Sequence, residues 1–351
     1  MESDGALYSA LLFTRRQGYP LFQPQLYDDL PDERMRNGVC IGDVGIVTRP
    51  GGFDPIFNIL HDAGDNVVNP WGVPEDFGRL RLDDRDIAWQ QLRYPAGSDV
   101  SNSAINKRRV AAGAGVNADF GANVEVSTNS KRNAILLLPD GASSWDLRSL
   151  HLFKHYAEKH TRNWYKFVNM TLQRGIANGD LYLVTGVTKS SSWSVAAIDQ
   201  GTDGDTQLSM KLKAAQVVTA NASYSWSWEE TSSGSRHSGP RGRQALEQWT
   251  DNQTVFLRGY KTYLRLPQMA RFPRAISVAD SDWSNVHWRG VTTPYSSSSR
   301  WGGGNDTTSS GTGASGSDTS PQSSSGQQLS SETLSAVLEE ADSNDYVDVV
   351  S

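Results

Sequence analysis

Between Val110 and Val126 the chain alternates without a break. Val110, Ala112, Ala114, Val116, Ala118, Phe120, Ala122, Val124 and Val126 stand at every second position, with Ala111, Gly113, Gly115, Asn117, Asp119, Gly121, Asn123 and Glu125 between them. Successive side chains of a β-strand point to opposite faces, so a period of two selects strand over helix. The run exceeds the usual strand of about 5 to 6 residues, so it is one long strand or a hairpin turning near Asn117. As a strand pair it covers a β-sheet core. The same alternation over about 9 to 11 residues also suits a strand that crosses a bilayer, which makes this a candidate sheet face and a candidate membrane-insertion face.

A second run repeats the pattern, with Val218, Ala220, Ala222, Tyr224, Trp226 and Trp228 set against Thr219, Asn221, Ser223, Ser225 and Ser227. Leu208, Met210 and Leu212 alternate just before it. Further strands are expected in 38–48, broken at Gly42-Asp43, in 134–138 and in 255–266. Strands at 181–188 and 193–198 are expected to form a hairpin about Lys189 to Ser192. The Pro-, Gly- and Asp-rich stretch 50–95 reads as loops and short elements anchored by Phe53, Phe57 and Trp71. One long helix is expected from Ser144 to about Arg174, because Leu150, Phe153, Ala157, Trp164 and Phe167 recur at steps of three and four. Ser143 and Asp146 resemble a capping box, and Gly175 with Asn178-Gly179 ends the helix. Strands running consecutively on either side of one helix, without βα alternation, give an α+β fold: largely antiparallel sheet with one long helix packed on it.

Residues 1–295 read as a single α+β domain. Residues 296–328 are mostly Ser, Gly, Thr and Asp and have too little apolar surface to bury, so they read as a disordered linker. Residues 329–351 form a short amphipathic acidic tail, with Leu334, Val337, Leu338 and Ala341 on one stripe of a short helix that frays or docks. The net charge is −6, and residues 296–351 hold eight acids against Arg300 alone. The first 295 residues are therefore close to neutral, which makes nucleic acid an unlikely partner. No run of about 18 apolar residues provides a transmembrane helix. The apolar stretch from Ala6 to Phe13 is followed by Arg15 and Arg16, the wrong order for a secretory signal, so a cytoplasmic location is expected. Cys40, the single cysteine, excludes an internal disulfide framework and reads as a small buried hydrophobe.

No motif assigns chemistry. The G-x-G-x-x-A match at Gly113 to Ala118 lies inside strand periodicity, where a dinucleotide fingerprint needs a helix. His151, His155 and Glu158 share one side of the expected helix and read as an exposed face rather than a metal site. Asp199, Asp203 and Asp205 lack calcium-loop spacing. No catalytic residue, cofactor or metal is indicated. Arg236, His237, Arg241 and Arg243 read as a mobile basic loop and a candidate anion contact. Trp226 and Trp228 are either core or an aromatic platform.

The segments GYPLFQPQLYDDLPDERMRNGVCIGDVGIVT, AILLLPDGASSWDLR and NGDLYLVTGVTKSSSWSVAAI resemble a family of cytosolic proteins of mushroom-forming fungi to which no activity is assigned. The order of a period-two region, a helix, the strand LYLVTGVT, a second period-two region and a closing strand is also similar to the gasdermin pore-forming domain. The first resemblance leaves a non-catalytic recognition or scaffold module with an unknown protein partner. The second implies a membrane pore former that oligomerises and takes acidic lipid as its partner. Truncation after Ser296 is expected to leave one cooperative thermal transition, measured by circular dichroism; its loss would show that the tail completes the domain.

Overall fold

The computed structural model describes residues 3–104, 106–111, 122–128, 131–199, 208–217, 223–228, 235–247, 251–264 and 347–350. The first helix, α1 (Asp4–Phe13), starts at Ser3, whose side chain accepts from the Ala6 amide. The prolines after it keep the chain extended through β1 (Tyr19–Pro20) until the short α2 (Asp32–Asn37). The strands β2 (Asp43–Val47) and β3 (Phe53–Asn58) form a hairpin, with β2 beginning at the break expected at Gly42-Asp43. Next come β4 (Ile87–Tyr94), β5 (Ser98–Ser101), β6 (Asn106–Ala111), β7 (Ala122–Thr128), β8 (Arg132–Leu138) and β9 (Ala142–Leu147). The long helix α3 (Leu150–Lys166) closes in a π-helical turn over Phe167–Thr171. After it run β10 (Leu181–Ser190), β11 (Trp193–Asp199), β12 (Leu208–Val217), β13 (Ser223–Trp228), β14 (Ser235–Gly239), α4 (Gly242–Glu247), β15 (Gln253–Leu264) and β16 (Val347–Val350).

These strands make three antiparallel sheets. The first runs β1-β15-β10-β2-β3, with β16 also on β15, β9 also on β10, and β4 on β9. The second runs β14-β11-β8-β5 and the third β13-β12-β7-β6. The orders of the second and third sheets correspond strand for strand in sequence: β14 with β13, β11 with β12, β8 with β7, and β5 with β6. Each strand of one sheet is thus joined by the chain to the strand in the same place in the other.

The fold is α+β, antiparallel, with one long helix on the first sheet. Phe153, Ala157, Trp164 and Val168 of that helical segment are buried with Phe57, Leu181 and Leu183 beneath them. Phe57 meets Trp164 and Phe167 edge-on, at 5.9 and 6.0 Å between ring centroids. A second cluster sets Leu7, Tyr8 and Leu12 of α1 against Leu136, Leu138 and Val195 of the second sheet.

Several sequence expectations are corrected. Ser143 and Ser144 do not open the helix. They lie buried in β9, paired with Lys189 and Thr188 of β10. The helix starts after Ser149, whose hydroxyl donates to Asp86 at 2.6 Å instead of capping. Leu150 is consequently 44% exposed rather than core. The strands β10 and β11 are not hairpin partners: β10 pairs with β15, β2 and β9, and β11 with β14 and β8. Ser190 and Ser192 turn the corner between the two sheets through bonds to Gly141 and Asp140. Trp71 is 43% exposed beneath the Arg174 guanidinium and anchors nothing in the core. Cys40 is half-buried, its thiol 4.0 Å from the Lys189 ammonium. The linker 296–328 and the helical stripe from Leu334 to Ala341 lie outside the described residues; the end of the tail, Val347–Val350, is a strand on Lys261–Leu264.

Removing the largest fully buried side chain tests the packing of α3. Trp164→Ala should cost about 3–5 kcal/mol in urea unfolding. A loss under about 1 kcal/mol would show that the site collapses freely, contrary to the close ring contacts.

Candidate functional site

The structure places two features of the sequence analysis, the alternating stretches on the third sheet and the basic segment beside the second. The first alternating stretch is a hairpin, with Val110 paired to Asn123 and Ala111 to Ala122 on either side of Asn117. Residues paired directly across an antiparallel ladder lie on the same face of the sheet. This register pairs even positions with odd ones. It therefore splits the single apolar face read from Val110 through Val126: Val110 shares a face with Asn123, whereas Val124 and Val126 share theirs with Arg109 and Lys107. Ala112, Ala114, Val116, Ala118 and Phe120 lie outside the described residues.

The apolar face is restored by a partner distant in sequence. Val124 and Val126 pair with Leu212 and Met210 of β12, and Leu212 and Ala214 pair with Trp228 and Trp226 of β13. One face of the third sheet thus carries Ala122, Val124, Val126 and Thr128, then Leu208, Met210, Leu212, Ala214 and Gln216, then Tyr224, Trp226 and Trp228. The other carries Asn123, Glu125 and Ser127, then Ser209, Lys211, Lys213, Ala215 and Val217, then Ser223, Ser225 and Ser227, and is mainly polar. On that polar face Glu125 is in register with Arg108 on one side and Lys211 on the other, an alternation of sign suited to neighbouring strands. Val218, Ala220 and Ala222 lie outside the described residues.

The basic segment is not a mobile loop. Arg236 and His237 are on β14, opposite Ala196 and Val195 of β11. Arg243 pairs with Asp32 at 2.6 Å, both about half exposed, an interaction of at most about 1 kcal/mol. Arg241 is fixed by two bonds: its amide donates to Gln25 Oε1 at 2.8 Å and its Nε to the Ser238 carbonyl at 2.6 Å. The four residues therefore do not make one anion patch. His237 and Arg241 instead share a cleft of about 250 Å³ with Gln25, Tyr27, Asp28 and Trp193. Its far wall was missed in the sequence because Gln25 and Arg241 are 216 positions apart.

The Gln25 amide also donates to Asp28 Oδ1, at 3.3 Å, and to the Arg241 carbonyl, at 3.2 Å. Buried Gln244 adds a bond to the same Asp28 oxygen at 3.2 Å. The His237 ring stands edge-on to Phe22 at 4.8 Å between centroids. Burial first, and Arg241 second, hold its pKa below the ordinary 6.5. Burial likewise lowers the pKa of Arg236.

His155 and Glu158 stand 3.9 Å apart on the open side of α3. Among the described residues no group of three His, Cys, Asp or Glu side chains is placed to hold a metal ion. Residues 200–207, with Asp203 and Asp205, lie outside them. No helix among the described residues is long and apolar enough to cross a membrane, which leaves membrane-crossing strands untouched. No family model, no curated protein and no solved structure matches the chain.

The depressed pKa of His237 sets a direction for stability. The fold favours the neutral ring, so its contribution is complete above the unfolded value near 6.5 and is lost as pH falls through 6.5 toward the folded value. The melting temperature should fall between about pH 7 and about pH 5, and His237→Gln should make that fall shallower. Some slope will remain, because burial and Lys159 depress His160 in the same direction. An unchanged slope in His237→Gln would show that the ring titrates as if in water.

Proposed function

We propose that the protein is a membrane-inserting pore former of the kind its element order resembles, acting on acidic lipid as an oligomer. The observation that carries this reading is the third sheet. Two hairpins far apart in sequence pair through β7 and β12 to give four antiparallel strands with one apolar and one polar face. A transmembrane β-barrel needs this alternation, lipid outside and water inside.

Strand number supports closure. Four antiparallel strands leave β6 and β13 running in opposite directions, so β13 of one copy can continue the ladder on β6 of the next, and the repeat closes into a ring without a free edge. Lys107 and Arg109 are the charged exceptions on the apolar face, level with Val126 and Val124, beside the neutral polar Thr128 and Gln216. In an inserted sheet they mark the headgroup region, where their stems snorkel and anionic lipid neutralises them. Trp226 and Trp228 lie near that level, as the aromatic girdle of a barrel does.

Leakage of a trapped dye from vesicles containing acidic lipid tests the reading. Ala214→Arg places a charge on the apolar face level with Trp226, where the cost lies below the roughly 2–4 kcal/mol of the bilayer centre, and should reduce leakage. Ser225→Arg, on the polar face, should leave it intact. Equal effects of the two substitutions would sink the face assignment. Failure of the wild-type chain to bind such vesicles at low salt, where attraction to anionic headgroups is strongest, would sink the pore reading. A recognition module is the second reading, and the cleft between Gln25 and Arg241 favours it.

A further inference from the structure

The cleft beside β14 has a charge arrangement that selects its occupant. Two formal charges face it, Asp28 and Arg241, of opposite sign. The rest of its lining is neutral: Gln23, Leu26, Gly52 and Phe53 complete the walls begun by Gln25, Tyr27 and Trp193, and the depressed pKa of His237 keeps that ring uncharged at neutral pH.

Asp28 and Arg241 are not spent on each other, since neither makes an ion pair with a described residue. Each is instead half committed and thereby aimed. Asp28 Oδ1 takes bonds from the Gln25 and Gln244 amides, which leaves Oδ2 as a fixed acceptor. Arg241 Nε is tied to the Ser238 carbonyl, which leaves its two Nη groups as a donor fork. The Gln25 side chain links the Asp28 carboxylate to the Arg241 backbone, donating to Asp28 and to the Arg241 carbonyl while accepting from the Arg241 amide, so it fixes the base of the Arg241 side chain relative to Asp28. A pair of opposite charges held apart by a bridging amide is matched by a ligand that carries the complementary pair.

We propose that this cleft binds a small zwitterion of the free amino-acid class, with its carboxylate on Arg241, its ammonium on Asp28 and an apolar side chain against Tyr27, Phe53 and Trp193. A planar carboxylate fits the guanidinium fork with two parallel bonds. The size agrees: about 250 Å³ is below the roughly 300–1,000 Å³ of pockets for drug-sized ligands. A phosphate would meet one cation and be repelled by Asp28, so polyanions are disfavoured. The proposal is independent of pore formation, because the cleft involves no strand of the third sheet, and the two are read by different assays.

Titration calorimetry on the full chain separates the outcomes. L-Phenylalanine should bind with a dissociation constant of about 1 mM or tighter. Phenethylamine, which lacks the carboxylate, and 3-phenylpropionate, which lacks the ammonium, should each bind about tenfold more weakly or worse. Arg241→Gln and Asp28→Asn should lower affinity for L-phenylalanine by a similar factor while leaving the ligand-free melting temperature near that of the wild type. The analogue series decides the matter even where a substitution unfolds the chain. Binding of 3-phenylpropionate or inorganic phosphate as tight as that of L-phenylalanine would overturn the zwitterion in favour of a simple anion site. Absence of saturable binding by both L-phenylalanine and L-leucine would overturn the proposal altogether.

Discussion

Arg258, in the middle of β15, is the point at which the first sheet is tied together. Its guanidinium bonds to Asp146 of β9 through Nε, to Thr188 Oγ1 at 2.9 Å and the Val187 carbonyl at 2.8 Å on β10, and to the Gln17 carbonyl at 3.2 Å in the N-terminal segment. Three strands and the approach to β1 thus meet on one side chain. The geometry requires the bulge in β10 between Val184 and Gly186, and it requires glycine there: a Cβ on Gly186 would strike Asp146 Oδ1 and Arg258 Nε. Burial depresses the Arg258 pKa, with Asp146 opposing that shift. Removing Asp146 alone would leave a largely buried cation without its counter-charge, a costlier change than the loss of one hydrogen bond.

The other end of β15 has its own clasp. Asn178, in the turn after α3, donates to the Leu264 carbonyl and accepts from the Leu264 amide, both at 2.8 Å. Tyr165 of α3 donates to the Thr262 carbonyl and accepts from the Gly179 amide, again at 2.8 Å. The strand LYLVTGVT lies between these clasps as β10, flanked on both sides and buried along its whole length, which is why its sequence is a nearly continuous apolar run.

What could be read from the sequence divides along a physical line. Period and local composition are local properties, and they placed β7, β8, β10, β13 and β15 and the body of α3, although the helical segment ends at Thr171, short of the stop expected at Gly175 and Asn178-Gly179. Register is not local. Every even residue from Val110 to Val126 looks equivalent in the sequence, yet pairing Val110 with Asn123 puts the two arms of the hairpin out of phase, and only the pairing of Val124 with Leu212 shows where the apolar face continues. Ser143 misled for a related reason. Its Oγ is taken up by the Leu92 amide at 3.2 Å, a partner 51 positions away, so a residue with a capping signature serves a strand instead. The cleft was illegible because its two sides come from distant segments: Gln25 lies 216 positions from Arg241, and Asp28 as far from Gln244.

The matching orders of the second and third sheets bear on the proposed delivery of strands to a bilayer. A rearrangement that exchanged pairing partners would have to break ladders and pass through unpaired backbone, which is prohibitive in lipid. Here the pairs β11 with β8 and β12 with β7 stand in the same order in the two sheets, so the chain leads from each strand of one pair to the corresponding strand of the other without an exchange of partners. The strands of the first sheet, held by Arg258, Asn178 and the packing of α3, need not move. On the proposed pore-forming reading, the first sheet and its two clasps act as the fixed body from which the strands of the third sheet extend.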